Sequence, residues 1–141
     1  MYVNIDHVVI VVSDLDRAVE VFRDRMGLPL KEVREIPRSR VRVAFFPVGH
    51  GNIEVIQPLD PESPAGRFLA RHGDGLYMIS LETGELDQTL EHLKGNGIPI
   101  TRSDLEPPAG AGRRRAYPDP GVTMGTAIQL IEGKNRYAAI Q

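Results

Sequence analysis

The 141-residue chain has no cysteine. That absence removes disulfide frameworks, thiolate metal centres, cysteine nucleophiles and CxxC redox chemistry. It also lacks a strong charge of either sign. Seventeen Lys and Arg against nineteen Asp and Glu leave a net charge of −2, which argues against a protein built to grip nucleic-acid phosphates. No apolar run approaches the ~20 residues needed to span a bilayer, so no membrane partner is expected. The first residues show no basic, then apolar, then small-residue pattern, and the cytoplasm is the expected location. What is present is a hydrophobic content of 41%, enough for the core of one domain. The 14 Gly and 11 Pro mark short elements and tight turns, and the four His are the first candidates for metal or acid–base chemistry.

Residues 4–12 (NIDHVVIVV) are rich in β-branched side chains and predict a buried strand. Ser13 with Asp16 three residues on is a variant of the capping box, and Leu15, Ala18, Val19, Phe22 and Met26 follow at helical spacing. Gly27 and Pro29 end that helix. Strands are predicted over 28–36, 41–48 and 52–57, the last two joined by the turn Gly49-His50-Gly51. Ser63-Pro64 starts a short connecting helix with Ala65, Phe68 and Leu69 on its apolar face. A second run follows: a strand over 76–82, a helix with Leu86, Leu90 and Leu93 on one face, then strands over 98–102, 113–118 and 126–132.

Both runs read β-α-β-β-β, and they are an internal repeat. Leu15-Asp16 recurs 71 residues on as Leu86-Asp87, Leu28-Pro29-Leu30 recurs 70 on as Ile98-Pro99-Ile100, and Ile53–Ile56 recurs 75 on as Ile128–Ile131. A repeated half of about 60 residues does not easily bury both faces of a four-stranded sheet alone. The repeat therefore predicts one α+β domain: module one at 1–58, a connector at 59–74, module two at 75–132 and a tail at 133–141. Two βαβββ modules related by pseudo-twofold symmetry would form a curved sheet around a central cavity, with site residues at matching positions.

Two polar residues interrupt apolar strands. His7 lies among Ile5, Val8 and Val9, and its repeat partner is Met78. Glu54 lies in IEVI, and its partner is Gln129. Burial of such groups without partners costs several kcal/mol, and the set His7, Glu54, Gln129 has the N/O chemistry of a divalent metal site.

These features resemble the vicinal oxygen chelate superfamily, which includes glyoxalase I, methylmalonyl-CoA epimerase, extradiol dioxygenases and antibiotic-resistance proteins. The stretches IDHVVIVVSDLDRAVEVFRDRMGLPL, VRVAFFPVG, IEVIQPLDPESPAGRFLARHGDGL and PPAGAGRRRAYPDP are similar to the methylmalonyl-CoA epimerase branch. The resemblance implies one divalent ion (Co, Mn, Zn, Ni or Mg), a small-molecule substrate such as a CoA thioester, and a homodimer. It maps the first ligand onto His7 and the second onto Glu54. The third, usually a histidine, falls on Met78. The fourth, a glutamate that also serves as a base, falls on Gln129, and the second epimerase base aligns near Arg42. A thioether offers little to these cations and a neutral amide takes no proton, so the metal site is weakened or empty. Ring-cleaving chemistry, which needs two histidines and a glutamate on iron, is not expected, because of the histidine positions only His7 matches.

The expected function is a glyoxalase- or epimerase-like isomerase or lyase acting on a small acid or its CoA thioester, and not a standard methylmalonyl-CoA epimerase. Glu54 is the expected base, with His7 as its partner or a metal ligand. Arg42, Met78, Ser80, Arg113, Arg115 and Tyr117 are the expected substrate contacts. The alternative is a metal-free protein that sequesters a small molecule. Bland readings stand beside these. His7 is then a core histidine bonded to Glu54 or Gln129, and Met78 is core packing. Glu82 is a cavity acid or a solvated strand end. Arg113–Arg115 hold a phosphate or carboxylate, or form a solvated basic run. Tyr77 and Tyr117 line a cavity mouth or pack. His50 is a turn residue, and His72 and His92 sit at polar helical positions.

Overall fold

The computed structural model describes residues 1–109 and 112–133. The fold is mixed α+β. Its elements are β1 (Tyr2–Val11), α1 (Leu15–Val19, continuing as a π-helical stretch Glu20–Arg25), β2 (Glu32–Ile36), β3 (Val41–Val48), β4 (Gly51–Pro58), α2 (Pro64–His72), β5 (Gly75–Thr83), α3 (Leu86–Gly95), β6 (Ile100–Asp104), β7 (Arg115–Pro118) and β8 (Ala127–Glu132). This is the duplicated β-α-β-β-β order of the sequence repeat. Two compact units form: His7–Met78, and Met1–Asp6 with the chain from Ile79 onward. The opening strand of each repeat therefore changes unit partway, β1 at His7 and β5 at Met78.

In the His7–Met78 unit the strands run β2-β3-β4-β1. β3 is antiparallel to both β2 and β4, and β1 is parallel to β4. Ala44 lies opposite Val55 and Phe46 opposite Ile53, on the face that α1 covers with Leu15, Ala18 and Val19. Phe22 meets Phe46 edge-on at 5.9 Å. The other face carries Val9, Val11, Val43 and Ile56, packed with Ala65, Phe68 and Leu69 of α2. Strand alternation thus separates two apolar clusters with one sheet between them. Gly49 takes φ +58° at the first position of the β3–β4 hairpin, and His50 is exposed in that turn, as the sequence predicts.

The start of α1 differs from expectation. Asp14, not Ser13, caps it, and its carboxylate accepts from Arg17 N at 3.1 Å. Ser13 N donates to Asp74 Oδ1 at 3.0 Å, and Leu15 N donates to Gln57 Oε1 at 2.9 Å. Three acceptors from three segments thus take N–H groups at and beside the helix start. Ser63 caps α2 through Gly66 N at 3.1 Å, with Pro64 next in line. A Cβ at Gly66 would run into the backbone of Asp60 and Pro61, so α2 approaches its preceding turn only through a glycine.

In the other unit the strands run β5-β8-β7-β6, with β7 antiparallel to β6 and β8. Leu86 and Leu93 of α3 pack on Leu130, flanked by Leu81, Leu90, Ile98 and Ile128. Met1 O accepts from Gly84 N at 3.0 Å, which ties the N-terminus to this unit. Several strand starts fall later than predicted. Leu28 and Leu30 pack against the α1 cluster before pairing begins at Glu32, and β7 begins at Arg115 rather than Arg113. No helix among the described residues is long and apolar enough to cross a membrane.

The Gln57 bond is the more exacting of the α1 contacts, because Leu15 is fully buried. Gln57→Ala should cost about 1–3 kcal/mol by orphaning the Leu15 N–H, and Asp14→Ala about 1 kcal/mol. Urea unfolding of the two variants checks the order.

Candidate functional site

The His7–Met78 unit brings two of the expected residues together. β1 and β4 align Val9 with Glu54, and β3 puts Phe45 opposite the same glutamate. His7 Nδ1 lies 3.3 Å from Glu54 Oε2, with the side chains 8% and 18% exposed. The neighbours on this face, Val9, Val43, Phe45 and Ile56, are apolar. An imidazole and a carboxylate set among them make a polar contact with each other, which offsets part of the desolvation cost. Met78 packs against the same apolar cluster, and Tyr77 stacks on Phe68 at 4.9 Å.

Arg42 is placed elsewhere. It pairs in register with Gln57 and alternates with Val43, so it points to the α1 side of the sheet. There its guanidinium lies 3.4 Å from Asp16. A one-residue slip reverses the face of a strand residue. The β3 residues that share Glu54's face are Val41, Val43, Phe45 and Pro47, and none of them carries an acid.

The second unit gathers Ser80, Gln129 and Tyr117. β7 and β8 pair Arg115 with Ile131 and Ala116 with Leu130, so Tyr117 and Gln129 come side by side. Ser80 Oγ donates to Gln129 Oε1 at 2.7 Å, and Gln129 Nε2 donates to the Tyr117 hydroxyl oxygen at 2.7 Å. Ser80 and Gln129 are buried. The Arg102 guanidinium sits 4.0 Å above the Tyr117 ring, a cation–π contact. Sequence alone singled out these three residues but not the bonds among them, which depend on strand register.

Glu82 is buried and accepts from Asn4 Nδ2 at 3.1 Å, so the solvated strand end is excluded. Two of the three clustered arginines have carboxylate partners. Arg113 Nη2 lies 2.8 Å from Asp6 Oδ1, and Nη1 donates to Glu132 O at 3.1 Å. Arg114 bonds Asp87 at 3.0 and 3.2 Å and Glu132 at 3.1 Å. Asp87 first, then Glu132, hold its guanidinium still further above the usual arginine range. Arg115 has no carboxylate partner among the described residues. Asp6, a buried acid one residue before His7, was missed; its only signal was an acid inside an apolar strand. His72 rests against Phe68, and His92 lies in the last turn of α3. Gly110 and Ala111 of the loop before Arg113, and the tail Lys134–Gln141, lie outside the described residues.

With this geometry in place, the chain belongs to the Glyoxalase/Bleomycin resistance protein/Dioxygenase superfamily, whose sequence model matches residues 6–117. It is 30% identical to protein YqjC of Bacillus subtilis over 132 residues, 93% of each chain. It is 30% identical over 96 residues to the mitochondrial methylmalonyl-CoA epimerase of Mus musculus, covering 67% of this chain and 54% of that one, so it spans about half of that relative's length. The crystal structure of methylmalonyl-CoA epimerase from Mycobacterium tuberculosis superimposes with a TM-score of 0.80 at 27% identity, covering 96% of this chain and 91% of that one.

The residues present fit a divalent ion poorly. His7 and Glu54 are turned toward each other, the Gln129 carbonyl accepts the Ser80 hydroxyl, and Met78 offers a soft thioether. Among the described residues no three His, Asp or Glu side chains group closely enough to hold a cation. Protein treated with Mn²⁺, Co²⁺ or Zn²⁺ and desalted should carry well under one equivalent by elemental analysis.

Proposed function

We propose that this chain is an enzyme that moves a proton at the carbon α to the carbonyl of a small acid, taken as its CoA thioester. The observation that carries this reading is the His7–Glu54 contact at 3.3 Å on an otherwise apolar strand face. The Glu54 carboxylate takes the proton, the C–H bonding pair moves onto the carbonyl oxygen as an enolate, and the proton then returns to carbon. His7 fixes the orientation of the carboxylate throughout. The thioester class is supported by likeness to methylmalonyl-CoA epimerases. Val43 and Phe45 leave β3 without a second carboxylate facing Glu54, so one-base exchange or isomerisation is the chemistry, and two-base epimerisation of methylmalonyl-CoA is slow or absent. The protein works in the cytoplasm as a homodimer, without nucleic acid or membrane. The exposed apolar residues Tyr2, Val3 and Ile5 support the dimer.

Incubation with a panel of acyl-CoA thioesters in D₂O, followed by mass spectrometry, tests the proposal. Deuterium should enter the α position of at least one thioester, and Glu54→Gln should slow this by about 10²-fold or more. Equal rates in the variant and the wild type would sink it. A second reading, a metal-free binding protein, is favoured by Met78 lying in the apolar cluster beside Phe68 and Tyr77; it predicts thioester binding with no exchange.

A further inference from the structure

Within the His7–Met78 unit, β2 carries a cation onto the face that holds Glu54. β2 registers Glu32 with Phe45, Arg34 with Val43 and Ile36 with Val41, so Glu32, Arg34 and Ile36 share the face of Glu54. The β3 residues between them, Val41, Val43, Phe45 and Pro47, are apolar. The Arg34 guanidinium sits 5.1 Å from the centre of the Phe45 ring, a cation–π contact, and Phe45 lies directly opposite Glu54 on β4. The Phe45 ring therefore stands between the acid and the cation. Adjacent strands lie about 4.8 Å apart, so the guanidinium drawn onto Phe45 is roughly 5–10 Å from Glu54 across the sheet. Among the described residues the carboxylate neighbour of Arg34 is Glu32, 3.6 Å from Nε, with both side chains about half exposed. That distance is too long for a hydrogen bond, and an exposed pair of this kind contributes little. The guanidinium can exchange it for another carboxylate at small cost.

We infer that Arg34 is a specificity-determining residue: its guanidinium receives a second carboxylate on the acyl chain, so the thioester this face takes is that of a dicarboxylic acid. This rests on the proposal above that the α-carbon of a thioester lies against Glu54. With the α-carbon there, contacts of about 3 Å at the Glu54 end and at the Arg34 end leave a few ångströms of chain between them. A free carboxylate separated from the α-carbon by one or two methylenes fills that gap, and Val43 and Phe45 line the path. A carboxylate on the α-carbon itself falls short, and a methyl-ended chain leaves the cation unused. A guanidinium meets a ring with its face and a carboxylate with its edge, so the Phe45 contact orients Arg34 without occupying its donors. No bond is made or broken at Arg34. A phosphate of CoA offers the same anionic chemistry, and the experiment separates the two sources.

Calorimetry compares glutaryl-CoA with valeryl-CoA, thioesters of equal chain length that differ in one terminal carboxylate, and with free CoA. The wild type should bind glutaryl-CoA about 10-fold more tightly than valeryl-CoA, and added salt should narrow the gap because the guanidinium is exposed. Arg34→Gln should bring the ratio close to one. Arg34→Lys should keep part of it, since a point charge then replaces the fork. Thermal unfolding should hardly move in either variant, because the side chain is exposed. A wild type with no preference, or an Arg34→Gln protein that keeps the preference, overturns the inference. So does an Arg34→Gln protein that weakens for free CoA and for both thioesters by the same factor, which assigns the guanidinium to a CoA phosphate. Calorimetry needs no turnover, so failure here is distinct from failure of the α-proton reading, which the deuterium exchange of Glu54→Gln decides.

Discussion

A carboxylate and an imidazole placed on an apolar strand face both need polar partners, and the contact between His7 and Glu54 answers part of that need. His7 and Glu54 are brought together by the parallel pairing of β1 with β4, which fixes their register against Val9 and Phe45. The pairing holds because both strands are buried by α1 on one face and by α2 on the other. A neutral core at these positions would be simpler to stabilise. The proposed proton transfer rests on an acid placed there against a histidine.

The two repeats solve the same mechanical problem with different side chains. In each, an arginine preceding or within the third strand reaches an aspartate in the first turn of the helix: Arg42 to Asp16, and Arg114 to Asp87. The residue late in the fourth strand then diverges. Gln57 accepts from the helix N–H of Leu15, whereas Glu132 takes the arginine instead. The caps diverge with it, since Asp14 bonds the Arg17 N–H and Glu85 makes no side-chain cap bond. On the opposite face the divergence is larger. His7 and Glu54 correspond to Met78 and Gln129, and Phe45 corresponds to Tyr117. One half carries a buried carboxylate beside a histidine, and the other a neutral hydrogen-bond chain.

The element order and both helix faces were legible in the sequence because apolar spacing reports burial directly. His7, Glu54 and Gln129 were legible for the complementary reason, as polar residues inside apolar runs. Arg42 was misplaced because neighbouring residues of a strand differ only in face, and composition does not say which way a register falls. The cap at Asp14 rather than Ser13 turned on backbone angles and on Gln57 and Asp74, which are distant in sequence. The Ser80–Gln129–Tyr117 bonds, and the Arg113 contact with Asp6 across 107 residues, exist only once β7 and β8 are registered.

The crossing of β1 from one unit to the other has a consequence for synthesis. The β2-β3-β4-β1 pairing lies wholly within residues 7–78, so those strands find their partners once that segment has been made. Met1–Asp6 do not, because their unit is completed by the chain from Ile79 onward. Until that length has been translated, Tyr2, Val3 and Ile5 form an unpaired apolar strand end, the kind of edge that recruits other chains. The nascent protein is thus most exposed to aggregation late in its own translation, and slow elongation through the second repeat would lengthen that interval.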